Sequence, residues 1–378
     1  MIRESTGIED PRFSAFDRAM MRRVLAVAGR GRGLVSPNPM VGAVVVRDGQ
    51  VVATGYHHRH GSSHAEVDAL SRIGFDAQGC TLYVNLEPCC HQGMTPPCTS
   101  SVISSGVSRV VIGTMDPNPL VSGRGIASLR QAGLQVDVGL LESACRELNR
   151  GFFKWITTGL PFVTLKMACT LDGRTADRHG RSRWITGEPA RRDVHRLRAD
   201  SDCVMVGGNT ASHDDPLLLP VMVRARRNPV RAVVSGSGGI EPGSRLAMSV
   251  GDGPVFLFTS DRAARERVDA LAGSGIQVIS VPSTDDGLDL PAVLRELGAR
   301  RITSVLVEGG STLAASLLRA SLVDRLVVYY APILVGDPSA PGLCSDMGIH
   351  DIGRSLRFKL IDSVRVGCDV RMRFDPEG

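Results

Sequence analysis

The segment Glu87-Pro-Cys-Cys-His-Gln-Gly-Met-Thr-Pro-Pro-Cys98 puts three of the nine cysteines and one of the nine histidines into twelve residues. Soft side chains crowd in this way when they hold a metal, form disulfides or do chemistry. The remaining cysteines, Cys80, Cys145, Cys169, Cys203, Cys344 and Cys368, stand singly, and the odd total shows no framework spacing. That usage fits a reducing cytoplasm, so the cluster reads as metal or catalysis rather than as a disulfide staple. The fold must therefore bring together two distant kinds of position. Cys89 follows the apolar run CTLYVNLEP, which reads as a buried strand. Cys98 follows Pro96-Pro97, and proline suits the first turn of a helix.

A catalytic zinc ion takes three protein ligands and keeps one position for water. Thiols at helix N-termini are favoured as thiolates by the backbone N–H groups and the helix dipole. With Cys89 and Cys98 as two ligands, the third candidate is His64 in SSHAEV, and Glu66 follows two residues later. A carboxylate beside a water activated by zinc can take its proton and hand it to a leaving amine. Nucleobase deaminases carry this arrangement as H-x-E with P-C-x-x-C. His64-Ala65-Glu66 matches the first half, but eight residues rather than two separate Cys89 from Cys98. Cys90 and His91 are expected not to be ligands, because adjacent residues rarely direct both side chains to one ion. A closed, purely structural zinc site would leave Glu66 without a role.

At roughly 150 residues per domain, 378 residues make two domains or three. Around the cluster, GAVVVRDGQVVATGY reads as a hairpin turning at Asp48-Gly49. Beyond it, strands alternate with helices, which argues an α/β layer with a largely parallel sheet. Leu140–Trp155 reads as a single bridging helix. From GLPFVTLKMAC onward a second set of strands follows (DCVMVG, PVRAVVSG, PVFLFTS, IQVISV, ITSVLVEGG, DRLVVYYAPIL) before the paired strands of RFKLIDSVRVGCDVRMRF. The expected division is 1–152 and 153–378. In VEGGSTL, strand, Gly-Gly and helix start succeed one another, a plausible cradle for a pyrophosphate.

The hydrophobic share of 43% and charged share of 22% suit a soluble protein with packed cores. No apolar run approaches the ~20 residues of a membrane span, and the N-terminus has no apolar signal core. A net charge of +5 without a basic stripe, and only 4% aromatics, argue against nucleic-acid binding.

Taken together, the runs PNPMVGAVVV, GYHHRHGSSHAE, LEPCCHQGMTPPC, DPNPLVSGRG, KMACTLDGR, SRWITG, DDP and VEGGSTLAASLL resemble the bifunctional deaminase/reductase family of riboflavin biosynthesis from end to end. The resemblance implies an N-terminal cytidine-deaminase-like domain and a C-terminal dihydrofolate-reductase-like domain. The first would deaminate 2,5-diamino-6-ribosylamino-4(3H)-pyrimidinone 5′-phosphate with Zn²⁺; the second would reduce its ribosyl group to ribityl with NADPH. By the same resemblance His64, Cys89 and Cys98 hold zinc, Glu66 shuttles protons, and Asn38 and His57 line the pyrimidine pocket. Ser182, Arg198 and Glu308 contact substrate, and Trp184, Thr210, Asp214, Gly310, Ser311 and Thr312 contact the dinucleotide. Lys166 and Asp172 could assist a proton step or be structural. The implied enzyme is a cytoplasmic homo-oligomer, dimer or tetramer.

The sequence also departs from the family pattern. Met94 stands where Arg or Lys is usual, Cys90 where serine is common, Leu219 and Val221 where Thr and Arg are usual, and Gly236 where an acid is usual. Arg59 or Arg124 in the first half, and Arg224 in the second, are candidate replacements for phosphate contacts. A deaminase beside an impaired reductase is the alternative these departures leave open.

Overall fold

The computed structural model describes residues 10–92, 96–285 and 287–377. The chain forms two compact units, 1–158 and 159–378.

The first unit is a five-stranded sheet made of β1 (Gly42–Arg47), β2 (Gln50–Tyr56), β3 (Thr81–Val84), β4 (Arg109–Ile112) and β5 (Gln135–Val138), in the order β2-β1-β3-β4-β5. The hairpin β1–β2 turns at Asp48 and Gly49, both at positive φ (49° and 73°), as a tight two-residue turn requires. β1 is antiparallel to β3, and β3, β4 and β5 run parallel. Helices α1 (Ala15–Ala28), α2 (Ala65–Ser71), α3 (Cys98–Ser104), α4 (Arg124–Gln131), α5 (Glu142–Leu148) and α6 (Arg150–Thr158) complete the unit.

A capping box starts α1: Ser14 Oγ accepts from the Asp17 N–H at 3.0 Å, and Asp17 Oδ2 accepts from the Ser14 N–H at 2.9 Å. Asp17 also pairs with Arg109 on β4 and accepts from the Tyr83 hydroxyl on β3, each at 2.7 Å. The helix is thereby tied to two strands. The single helix expected over Leu140–Trp155 is broken at Asn149. Its side chain is committed to the backbone of Met40, accepting from N–H at 2.7 Å and donating to C=O at 2.9 Å.

The second unit carries a nine-stranded sheet. Its strands are β6 (Phe162–Cys169), β7 (Cys203–Gly207), β8 (Val230–Val234), β9 (Val255–Thr259), β10 (Gln277–Ser280), β13 (Ser304–Glu308), β14 (Arg325–Tyr330), β15 (Phe358–Val366) and β16 (Asp369–Pro376). A small ribbon, β11 (Ser283–Thr284) with β12 (Gly287–Leu288), lies apart. The order is β10-β9-β8-β7-β13-β6-β14-β16-β15, parallel through β14 and antiparallel in the last two strands. Helices α7 (Glu188–Asp200), α8 (Gly208–Asp214), α9 (Arg245–Met248), α10 (Arg265–Gly273), α11 (Leu290–Ala299) and α12 (Ser311–Arg319) connect the strands. As the unbroken apolar runs predict, the central strands are buried, with Val163, Leu165, Met205, Val305 and Val307 in one core.

One close approach fixes where the candidate site forms. A Cβ on Gly55 of β2 would lie 2.3 Å from the Ala69 amide nitrogen of α2. Only hydrogen at this position lets α2 rest directly on the hairpin, and α2 begins at the residue after His64. Gly55→Ala is expected to push α2 outward, destabilise the unit by about 1–3 kcal/mol as other overpacked sites do, and reduce zinc retention. Urea titration and metal analysis of the purified variant check this.

Candidate active sites

His64 is the N-cap of α2, with extended backbone (φ −73°, ψ 164°), so its side chain stands at the helix entrance and Glu66 faces inward one residue into the helix. Cys98 opens α3, so the helix starts where the Pro-Pro signal points, but Pro97 stands just outside the first turn as N-cap. Cys89 lies beyond the end of β3. His64 Nδ1 is 3.1 Å from Cys98 Sγ and 3.5 Å from Cys89 Sγ, and the three donor atoms lie within 4.8 Å of one another. The Cys98 N–H also donates to Cys89 Sγ at 3.4 Å. Cys98 and then His64 pull the Cys89 thiol down to about 4, whereas its contact with Cys89 raises Cys98. Two thiols and an imidazole this close hold protons that a divalent cation would displace. The donor set, S₂N with room for a fourth ligand, suits zinc. Glu66 is 3% exposed, and burial pushes its carboxyl up to about 7.

His64, Cys89 and Glu66 line one cavity together with Asn38, His57, Glu87, Asp116, Asn118 and Phe152, and Cys98 lies behind them as the third donor. Asn38 Nδ2 and His57 Nε2 are 3.1 Å apart, and His57 Nδ1 is 3.1 Å from the Ser63 carbonyl. The carbonyl can only accept, so Nδ1 carries the proton and Nε2 accepts from the Asn38 amide. Burial lowers the His57 pKa, in keeping with this neutral tautomer. The Asn38 carbonyl oxygen remains to accept from a ligand. His91 also lines the cavity, while Cys90 Sγ points at the Leu120 carbonyl 4.0 Å away. Arg59 and Arg124 are exposed and not among the lining residues; Met94 lies outside the described residues. Asp116 and Asn118 are lining residues that sequence reasoning had not singled out. Asp-Pro-Asn-Pro did signal turns: each side chain accepts from the amide two residues on, at 2.8 and 3.0 Å.

In the second unit, Arg198 on α7 meets Glu308 at the end of β13 in a two-pronged pair of 2.5 and 2.9 Å, and donates to the Leu219 carbonyl at 3.2 Å. Lys166 on β6 is the cross-strand neighbour of Glu308 and stands 5.9 Å from the centre of the Tyr329 ring. Burial lowers the Lys166 pKa against the opposing pull of Glu308. His195, one turn before Arg198, belongs to the same charged group, and burial lowers its pKa too. Sequence reasoning missed His195, because helical spacing alone cannot say which face of α7 meets β13.

Gly309 and Gly310 have positive φ (70° and 79°) and lead into α12; a Cβ on Gly310 would lie 3.1 Å from Thr210 Oγ1. Thr210 and the Gly-Gly turn are thus brought together. Ser345 joins the Ser311 and Thr312 hydroxyls at 3.2 and 3.4 Å. Trp184 is 69% exposed with the Arg191 guanidinium 4.4 Å above its ring, and Arg183 ties this loop to the Asp214 carbonyl at 2.6 Å. Ser182, half-buried, starts the same turn by accepting from the Ile185 N–H. Asp172 is a clamp on the 335–336 turn: it accepts from the Thr170 hydroxyl and from the Val335 and Gly336 amides.

The geometry defines a zinc-binding deaminase fold in one unit and a dinucleotide-type α/β reductase fold in the other. Residues 14–114 match the cytidine and deoxycytidylate deaminase zinc-binding region, and residues 161–372 match the RibD C-terminal domain. The riboflavin biosynthesis protein RibD of Escherichia coli is 41% identical over 366 residues, covering 94% of this chain and 98% of that protein. Its namesake from Aquifex aeolicus is 40% identical over 358 residues, covering 95% and 98%. The structure of Acinetobacter baumannii RibD superposes with a TM-score of 0.85 at 36% identity over 96% of this chain and 99% of that one. A Thermotoga maritima diaminohydroxyphosphoribosylaminopyrimidine deaminase/5-amino-6-(5-phosphoribosylamino)uracil reductase does so at 0.84 and 36%, with the same coverage. The chain belongs to the RibD family of riboflavin biosynthesis, bifunctional enzymes with a zinc-dependent deaminase domain and an NADPH-dependent reductase domain.

Replacing a ligand and replacing the proton carrier should separate cleanly. His64→Ala or Cys98→Ser is expected to lose zinc, read by metal analysis. Glu66→Gln is expected to keep zinc but lower deamination by about 10²–10⁴-fold, the usual worth of a positioned acid–base group, read as ammonia release.

Proposed function

We propose that the chain removes the 2-amino group of 2,5-diamino-6-ribosylamino-4(3H)-pyrimidinone 5′-phosphate as ammonia, and then reduces the ribosyl group to ribityl with NADPH. The observation that supports the first step is that His64, Cys89 and the buried Glu66 meet on the cavity that Asn38 and His57 line, with Cys98 completing the group of three metal donors. Zinc, when bound by the first three, makes water acidic enough to supply hydroxide at neutral pH. Glu66 accepts that proton and returns it to the departing amine; burial suits a carboxyl that must both take and give. Asn38, fixed by His57, offers its carbonyl oxygen to an N–H on the pyrimidinone edge.

For the second step NADPH supplies the hydride to C1′. Gly310, Ser311, Thr312 and Thr210 hold the dinucleotide, with Trp184 and Asp214, where amides at the start of α12 favour a pyrophosphate. Ser182, Arg198 and Glu308 hold the sugar phosphate side. Lys166, buried beside Glu308, is the group placed to give a proton there. Among the described residues no helix is long and apolar enough to cross a membrane. All nine cysteines are unpaired, which supports a reducing, cytoplasmic setting. A homo-oligomer is supported by the edge strand β15, whose Leu360, Ile361 and Val364 are exposed.

The experiment is mass analysis of products from zinc-loaded protein, the diaminopyrimidinone and NADPH. A deaminated ribityl product is expected. A deaminated product with an intact ribosyl group would overturn the reductase assignment, and an unchanged substrate would overturn both.

A further inference from the structure

Glu87 is 3% exposed, yet among the described residues no ion pair or hydrogen bond joins its carboxylate to a cationic side chain. It accepts instead from three backbone N–H groups: Oε2 from Asp116 (3.2 Å) and Gly123 (3.0 Å), and Oε1 from Ile126 (3.1 Å). Its own N–H donates to the Thr114 carbonyl at 3.0 Å. Two of the three amides belong to the start of α4, whose N-cap, Gly123, has no side chain to satisfy them. A residue from a distant loop therefore caps this helix. The same contacts pin the whole 114–126 segment onto the loop that carries Cys89. Asp116, Asn118 and Val121 of that segment line the cavity with Glu66, and Glu87 itself borders it, with its carboxylate oxygens turned to the three amides. The approach is close: a Cβ on Gly125 would lie 2.2 Å from the Pro88 carbonyl oxygen.

We propose that Glu87 is a positioning residue of the deaminase half, setting through the 114–126 segment the place of Asp116 and Asn118 on the substrate cavity wall. The inference rests on the deaminase reading of that cavity. A carboxylate is required because all three partners donate. A glutamine turns one acceptor into a donor facing a donor, so at least one buried amide is left unsatisfied.

The test is Glu87→Gln in the full-length zinc-loaded protein, with deamination kinetics, metal content and amide hydrogen exchange measured together. The expected result is lost protection at the Gly123 and Ile126 amides, a KM raised about tenfold with kcat within about threefold, retained zinc, and unchanged reductase turnover. Lost protection with unchanged KM and kcat would show a merely structural cap and overturn the proposal. Retained protection, or loss of zinc with collapse of kcat, would overturn it too. Should Glu87→Gln not fold, Gly125→Ala moves the same segment while keeping every donor and acceptor, and the same KM rise is required of it. Absence of deamination by the unsubstituted protein would sink the functional reading and this inference together, whereas an unchanged KM beside an active parent sinks the inference alone.

Discussion

The deaminase half depends on how closely α2 lies against the β1–β2 hairpin. With hydrogen alone at Gly55, the helix backbone reaches the strand, and its entrance opens beside the entrance of α3. The three metal-binding atoms come from the two helix entrances and the loop between β3 and α3. The amide that opens α3 donates to Cys89 Sγ, so this helix end favours the thiolate on the loop beside it, and at the α2 entrance a carboxylate is drawn inward without breaking the helix. The separation of eight residues between Cys89 and Cys98 is therefore no obstacle. The spacing changes the excursion between strand and helix, while the two anchored ends keep their places.

Both units also obey a constraint of parallel sheets, which place function beyond the carboxyl ends of the strands. Cys89 and the Thr114–Asp116 turn follow β3 and β4; Glu308 with Gly309-Gly310, and Gly207-Gly208, end β13 and β7. In the second sheet the order β7-β13-β6 means that consecutive strands β6 and β7 are parted by β13. That insertion sets Lys166 of β6 beside Glu308 and the Gly-Gly turn at the end of β13, although up to 144 residues separate them along the chain.

Local chemistry made part of this legible in the sequence. Asp48-Gly49 announced its turn, Pro97 its helix start, and His64-Ala65-Glu66 its helix entrance, because each feature is decided within a few residues. Features decided by distant partners were not legible. The helix break at Asn149 depends on Met40, more than a hundred residues away. Asp172, which could have served a proton step, is engaged by the 335–336 turn. Glu87 read as the end of a strand, and its three amide partners lie 29 to 39 residues downstream. Asp116 and Asn118 showed their turns but not the cavity those turns border.

The two sites balance charge in opposite ways. In the second unit the cluster neutralises much of itself: Glu308 is held by Arg198 through two hydrogen bonds and faces Lys166 across the sheet, and these cations keep its carboxyl below the usual range despite burial. One more cation than anion remains when Lys166 is protonated, which suits phosphorylated and dinucleotide ligands. In the first unit, among the described residues, His64 is the cation that holds Glu66 down, while burial and the neighbouring Cys89 push its carboxyl up. With the Cys89 thiol already pulled down to about 4, the negative charge that gathers there is answered by a protonated neighbour or by a divalent cation. The reductase cluster is thus built to stand alone, whereas the deaminase cluster is built around an ion, and this difference follows from the residue types each fold brings together.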